Sequence, residues 1–313
     1  MKRQDNKYFS NKKVVKSGPL LEIYHFDRDI NLGQSIRHIK TDEEKALEGD
    51  KPKSSSEEKL KSSARRAKRM IKRLIMSNCF VWFKNNGDSY LPITLTLTFA
   101  ENITDIKQAN YEFTKFIRRL NYETNAIENK SLKQSNLKYL AVFELQKRGA
   151  IHYHMIFFNL PYIKGVYRRM YKIWGQGRIM IGGKDKIFKK VKDQKHLEKI
   201  ISYFIKYIQK SVFDNNFHGK KKYITSKGLL KPQENSSAEV VNFIESILPA
   251  EILSYMWDGQ AEYYQKDPLG DLGKPKNFIK WFNYYQYNLS DKQDLNKKIS
   301  QLLVGFSMDD VDF

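Results

Sequence analysis

Two β-rich segments, Ala141 to Gln146 and Ala150 to Phe158, stand only three residues apart, and that spacing constrains the fold more than any other feature. Lys147-Arg148-Gly149 between them reads as a hairpin loop, with glycine able to take the positive φ such loops need. The chain must therefore build an antiparallel pair. Met155-Ile-Phe-Phe158 is strongly apolar, as a central strand covered on both faces should be. Side chains two apart on a strand share a face, so His152 and His154 point the same way. A hairpin closing symmetrically about Arg148 sets Glu144 directly across from His152, within cross-strand contact distance. Two neutral imidazoles and one carboxylate make a ligand set for a divalent cation with open positions. The same histidines also read as ordinary strand residues, hydrogen-bonded and inert.

The flanking pattern supplies the rest of a core. Ile93-Thr-Leu-Thr-Leu-Thr-Phe99 alternates strictly and is the clearest strand. Gln108 to Leu120 predicts an amphipathic helix with Tyr111, Phe116, Ile117 and Leu120 on one side. Val166 to Trp174 predicts a helix stopped by Gly175, Arg178 to Ile181 a short strand, and His196 to Val212 a further helix. Antiparallel strands with helices on one face give an α+β fold. Leu20 to Phe26 and Tyr223 onwards are possible additional strands. Residues 41–58 are charged, Ser-rich and nearly free of large apolar groups, as a linker would be. The C-terminal region mixes helical stretches (Ala238 to Ile247, Pro249 to Trp257) with the aromatic run Trp281 to Tyr287. Three segments result: an N-terminal extension with a charged linker (1–58), a central domain led by a basic helix (59–230), and a mixed C-terminal region (231–313).

The chain carries 56 Lys+Arg against 35 Asp+Glu, a net charge of +21, with 19 Tyr and 19 Phe interleaved. Such a balance points to polyanions, and aromatic faces among cations suit unpaired bases. From Glu58 to about Cys79, Leu60, Ala64, Ala67, Ile71 and Leu74 follow helical spacing. Arg65, Arg66, Lys68, Arg69, Lys72 and Arg73 crowd the other faces and could lie along a phosphate backbone; a solvated surface helix has the same pattern. A single cysteine, Cys79, excludes a disulfide framework and a Cys-based zinc site. No apolar segment follows the N-terminal charges and no apolar run is long enough for a bilayer, so a cytoplasmic protein with no membrane partner is expected. A Walker-type phosphate loop is absent, which removes an ATP-driven motor.

The segment Tyr203-Phe-Ile-Lys206-Tyr207-Ile-Gln-Lys210 places two tyrosines four apart on one helix face and two lysines at the same spacing beside them. Taken alone, such a stripe equally describes a core-facing helix side. Beside a metal site it has a chemistry. A neighbouring ammonium favours phenolate, and a tyrosine attacking phosphorus forms a covalent phosphotyrosine while a 3′-hydroxyl leaves. With these residues in view, the chain resembles the HUH endonucleases, in particular rolling-circle replication initiators (Rep proteins) of small plasmids and single-stranded DNA phages. The resemblance rests on three motifs in order: Leu95-Thr-Leu-Thr-Phe99, Glu144 through Arg148-Gly149 to His152-Tyr-His154, and the Tyr203/Tyr207 helix. It spans about Pro92 to Lys210.

The resemblance implies a five-stranded antiparallel sheet with packed helices and a metal on it, held by His152, His154 and Glu144. It implies Mg²⁺ or Mn²⁺ as the ion and Tyr207 and Tyr203 as nucleophiles, with Tyr207 the first choice and Lys206 and Lys210 assisting. Arg148 and the basic helix would contact single-stranded or supercoiled origin DNA, while a host helicase and polymerase unwind and copy it. Relaxases and tyrosine transposases share this chemistry, and a non-catalytic basic DNA-binding protein would share the charge. Trp174-Gly-Gln-Gly177 suggests a structural turn.

Overall fold

The computed structural model describes residues 9–31, 56–146, 149–182, 194–211, 223–259 and 282–304. The chain divides into two units, one of residues 55–231 and one joining residues 1–54 to 232–313. The expected linker at 41–58 falls outside the described residues up to residue 55.

In the central unit, α1 (Ser56–Asn78) precedes β1 (Ile93–Phe99), α2 (Ile106–Ile127), β2 (Tyr139–Leu145), β3 (Ile151–Phe157), α3 (Val166–Trp174), β4 (Gly177–Ile181), α4 (Gln194–Ser211) and β5 (Tyr223–Thr225). The five strands form one antiparallel sheet in the order β4-β1-β3-β2-β5. This is the α+β, five-stranded antiparallel architecture expected from the sequence. The central β3 is buried along its whole length, as its unbroken apolar character requires. Leu95, Leu97, Phe99, Phe143, Tyr153, Met155 and Phe157 project from one face. There they pack against Phe113, Phe116 and Leu120 of α2 and Met170 and Trp174 of α3.

The opposite face is also covered: α4 packs on β2, and α1 packs on α4. Helices on one face only were expected; two-sided cover follows from Leu140, Val142 and Ile156, which are apolar and fully buried on the second face. α1 buries Ala64, Ala67, Ile71 and Leu74 as its periodicity predicts. Helix α2 starts earlier than its apolar pattern because the Asp105 carboxylate accepts from the backbone N–H groups of Lys107 and Gln108. Its Tyr111, read as core-facing, is 63% exposed, and Phe113 takes the buried place.

Gly177 is the one position in Trp174-Gly-Gln-Gly177 that no other residue can fill. Its φ is 146°, and a Cβ there would lie 2.4 Å from both Ala100 N and Thr98 O. The close approach docks β4 on the end of β1, and Trp174 Nε1 donates to Thr98 O (3.1 Å), fixing α3 to the same strand.

In the other unit, β6 (Phe9–Ser17) and β7 (Leu20–Asn31) form a hairpin, followed much later in the chain by β8 (Gln233–Asn235), α5 (Ala238–Ser246), β9 (Leu253–Gly259), β10 (Phe282–Asn288) and α6 (Gln293–Val304). These strands also make a five-stranded antiparallel sheet, in the order β8-β6-β7-β10-β9. One face buries Val14, Leu21 and Ile23 against Val241, Ile244, Ile299 and Leu302. The other carries a run of rings: Trp257 and Phe282 centroids are 4.9 Å apart, Tyr24 and Tyr284 5.0 Å. Tyr24 and Tyr284 donate to the same oxygen of buried Glu22, at 3.1 and 3.0 Å. Helix over Pro249 to Trp257 was expected; only Ala250–Ile252 makes a 3₁₀ turn and the remainder is β9. Aromatic Tyr255 and Trp257 favour a pleated surface once a partner strand is present.

Candidate active site

The hairpin adopts the register its symmetry implies: Glu144 pairs with His152 and Val142 with His154. Gly149 sits at φ 83° and donates to Gln146 O (2.9 Å), while Gln146 N donates to Ala150 O (2.9 Å), closing the loop. On the other side of β3, Thr98 opposes His152 and Thr96 opposes His154. The even-numbered residues of β1, β2 and β3 thus bring Thr96, Glu144, His152 and His154 to one face, under α4.

On that face the side chains form a chain of contacts centred on His154. Its Nε2 lies 2.9 Å from Glu144 Oε2, and its Nδ1 lies 2.9 Å from the Tyr203 hydroxyl and 3.2 Å from Thr96 Oγ1. Thr96 Oγ1 is also 3.4 Å from the Tyr203 hydroxyl. An ionised carboxylate can only accept. A neutral His154 facing Glu144 therefore carries its proton on Nε2 and turns the Nδ1 lone pair toward Tyr203. The pair is largely shut off from water, with side-chain exposures of 6% for His154 and 12% for Glu144, so its contacts are weakly screened.

Tyr207 meets the same imidazole differently. Its ring lies flat on His154, 3.6 Å between centroids and 13° from parallel, and edge-on to Tyr203 at 4.7 Å. Burial, then the hydrogen bond to Tyr203 and the charges of Tyr203 and Glu144, hold the Tyr207 phenol proton well above the usual tyrosine range. The helical spacing that put both tyrosines on one side of α4 is satisfied, but they occupy different positions: Tyr203 points its oxygen at a base, and Tyr207 presents a ring.

The other residues singled out from the sequence are distributed as follows. His152 is buried on the same strand face, its ring 6.4 Å from that of His154. Lys206 is exposed on α4; Lys210 belongs to the same helix, and its side chain and Arg148 lie outside the described residues. On α1, Arg65, Arg66 and Arg69 are exposed, and Lys68, Lys72 and Arg73 are half-buried along their stems. Among the described residues no group of three His, Cys, Asp or Glu side chains is arranged to hold a metal ion. In this arrangement Glu144 is turned toward His154 rather than toward a point shared with His152. Thr96 was missed in the sequence reading. Its signal was present, because Thr94, Thr96 and Thr98 alternate with Leu95, Leu97 and Phe99 and must face away from the apolar side.

Charge is concentrated around this site. Residues 55–231 hold 37 Lys+Arg and 13 Asp+Glu, net +24, whereas the remainder of the chain holds 19 and 22, net −3. No described helix is long and apolar enough to cross a membrane.

Residues 92–212 match the family model of the ORF2-type replication-associated proteins. Neither the curated proteins nor the solved structures give a match. The match starts just before β1, ends just after α4, and encloses every residue of the site, in agreement with the resemblance to replication initiators. Residues 92–212 thus constitute an ORF2-type replication-associated protein domain, a domain of the rolling-circle Rep initiators.

Proposed function

We propose that this domain nicks and rejoins single-stranded origin DNA through a covalent 5′-phosphotyrosine. The observation that carries the reading is the Glu144–His154–Tyr203 chain, a phenol hydrogen-bonded to an imidazole whose tautomer is set by a buried carboxylate. That is the arrangement of an activated nucleophile: nucleophile and base within reach, and the base oriented by a third group. Tyr203 Oη attacks the phosphorus as its proton passes to His154 Nδ1. The bond from phosphorus to the 3′-oxygen breaks, and that oxygen leaves as a hydroxyl after gaining a proton. Attack by a 3′-hydroxyl on the phosphotyrosine reverses the sequence and restores the strand. Thr96 holds both partners of the proton transfer in line.

This assigns the first attack to Tyr203 and reverses the order of preference read from the sequence. Tyr207 keeps its proton too firmly to be the first nucleophile, and its ring packs the imidazole in place. The donor types fit a hard divalent cation: His152, His154 and Glu144 would hold Mg²⁺ or Mn²⁺, which when bound polarises the phosphodiester and offsets transition-state charge. Lys206 and Lys210 are placed to neutralise the phosphate, and Arg148 with the exposed arginines of α1 to guide the strand. A host helicase and polymerase are the proposed partners for unwinding and copying. Incubation with single-stranded origin DNA and Mn²⁺, followed by intact-mass measurement, tests the reading. It expects an adduct on Tyr203; a Tyr203→Phe/Tyr207→Phe protein that still forms the adduct excludes it.

A further inference from the structure

On the sheet face away from Tyr203 and His154, α2 and α3 enclose a cleft of about 840 Å³. Four cations line it, Arg118, Arg119, Arg169 and Lys172, together with Tyr122. Only one acid is present: Glu123, which pairs with Arg169. Arg119 donates to Ile173 O (3.3 Å), which spans the gap between the two helices and fixes one wall. Tyr122 is 56% exposed, and beside the cleft Tyr167 and Tyr171, each more than half exposed, stack on one another 6.4 Å apart.

An isolated exposed ring needs no explanation. Here the solvent sides of two adjacent helices combine rings with unneutralised guanidinium and ammonium groups, and the pairing has a chemical meaning. Cations take phosphates whatever the sequence, and π-faces take unpaired bases whatever their identity. An acidic peptide would use the cations and leave the tyrosines in water. A duplex would keep its bases stacked inside and likewise leave Tyr122 unused.

We propose that this cleft is a second binding site for single-stranded DNA, with Arg118, Arg169 and Lys172 on phosphates and Tyr122 and the Tyr167/Tyr171 pair on bases. It names a second contact for the substrate class of the reading above, but the binding itself requires neither nicking nor a divalent cation. A strand held here stays attached to the protein while the opposite face of the sheet works on another stretch.

The test is fluorescence anisotropy of a labelled oligothymidylate of about 20 nucleotides against the full-length protein, without divalent cations, over roughly 50–200 mM salt. Arg118→Ala/Lys172→Ala lowers affinity at least about tenfold at the low-salt end and reduces the salt slope by about 1.4, two phosphates at about 0.7 each. Tyr122→Ala lowers affinity at least about fivefold with the slope unchanged. Lys133→Ala/Lys227→Ala, the same charge change outside the cleft, costs no more than about threefold, and Tyr203→Phe/Tyr207→Phe costs nothing. Arg118→Lys/Lys172→Arg, which preserves charge, keeps binding and controls for folding. Equal loss in the cleft and control pairs, or no loss in either, overturns the proposal. So does a duplex of equal length that binds as tightly and is just as sensitive to Tyr122→Ala. Absence of an adduct in the nicking assay, with these binding differences intact, counts against the nicking chemistry alone.

Discussion

The two units have the same framework and opposite surfaces. Each is a five-stranded antiparallel sheet with helices packed on it, yet one carries a net charge of +24 and the other −3. In the basic unit, the sheet face under α4 admits Thr96, Glu144, His152 and His154 among apolar neighbours. In the acidic unit, one face is an ordinary aliphatic core, and the buried carboxylate of Glu22 on the other is capped by two tyrosine hydroxyls. Both units bury a carboxylate, and what differs is its partner. Glu144 meets an imidazole that in turn meets a phenol, so a proton can move; Glu22 meets phenols only. The chemistry thus comes from a few polar residues inserted at matched register, not from the sheet.

The comparison can be broken in several places. The largest expected effect is on the turn that only the basic unit contains. Gly177→Ala drives a methyl into the backbone of β1, and about 3 kcal/mol or more of stability is lost. Amide hydrogen exchange should accelerate in β1 and β4 while β6 and β7 exchange as before; unchanged protection in β1 would remove the argument for that glycine. Replacing the carboxylate is next. Glu144→Ala frees the His154 tautomer, and strand cleavage should slow by about a hundredfold or more with little change in DNA affinity, read as the rate against the dissociation constant.

A pH titration separates the units further. Burial pushes the Lys16 ammonium of β6 down to about 8, and its Nζ donates to Gly18 O (2.9 Å). The unfolded chain then binds more protons than the folded one from about pH 8 up to the ordinary lysine range, so stability rises with pH across that window. The gain should be about 1–3 kcal/mol, and Lys16→Met should abolish the rise in denaturant titrations. The smallest effect is expected from Thr96→Val. Loss of one hydroxyl beside the imidazole and phenol should slow cleavage by about threefold to tenfold with stability held to within about 1 kcal/mol.

The central unit was largely legible because its signals are local. Ile93–Phe99 and Val166–Trp174 have the bounds the pattern predicts, and the loop chemistry of Lys147-Arg148-Gly149 set the register that opposes Glu144 to His152. Sequence could not show that the carboxylate turns diagonally to His154, since that depends on side-chain rotation and on what α4 brings above it. The spacing of Tyr203 and Tyr207 gave their shared face but not which oxygen meets the base. The acidic unit was poorly legible. Its strands pair across more than two hundred residues, as between Tyr24 and Tyr284, and Phe9–Ser17 carries too many polar residues to read as a strand alone. Pro249 to Trp257 shows the same effect: its strand character comes from the partner at Phe282–Asn288.

The account stands on which phenol attacks first. Intact-mass measurement of the protein–DNA adduct, made on Tyr203→Phe and Tyr207→Phe separately with single-stranded origin DNA and Mn²⁺, addresses that directly. The contact of Tyr203 with the His154 base predicts no adduct from Tyr203→Phe and a full adduct, formed about tenfold more slowly at most, from Tyr207→Phe. The reverse pattern, an adduct carried by Tyr207 when Tyr203 is phenylalanine, would contradict it.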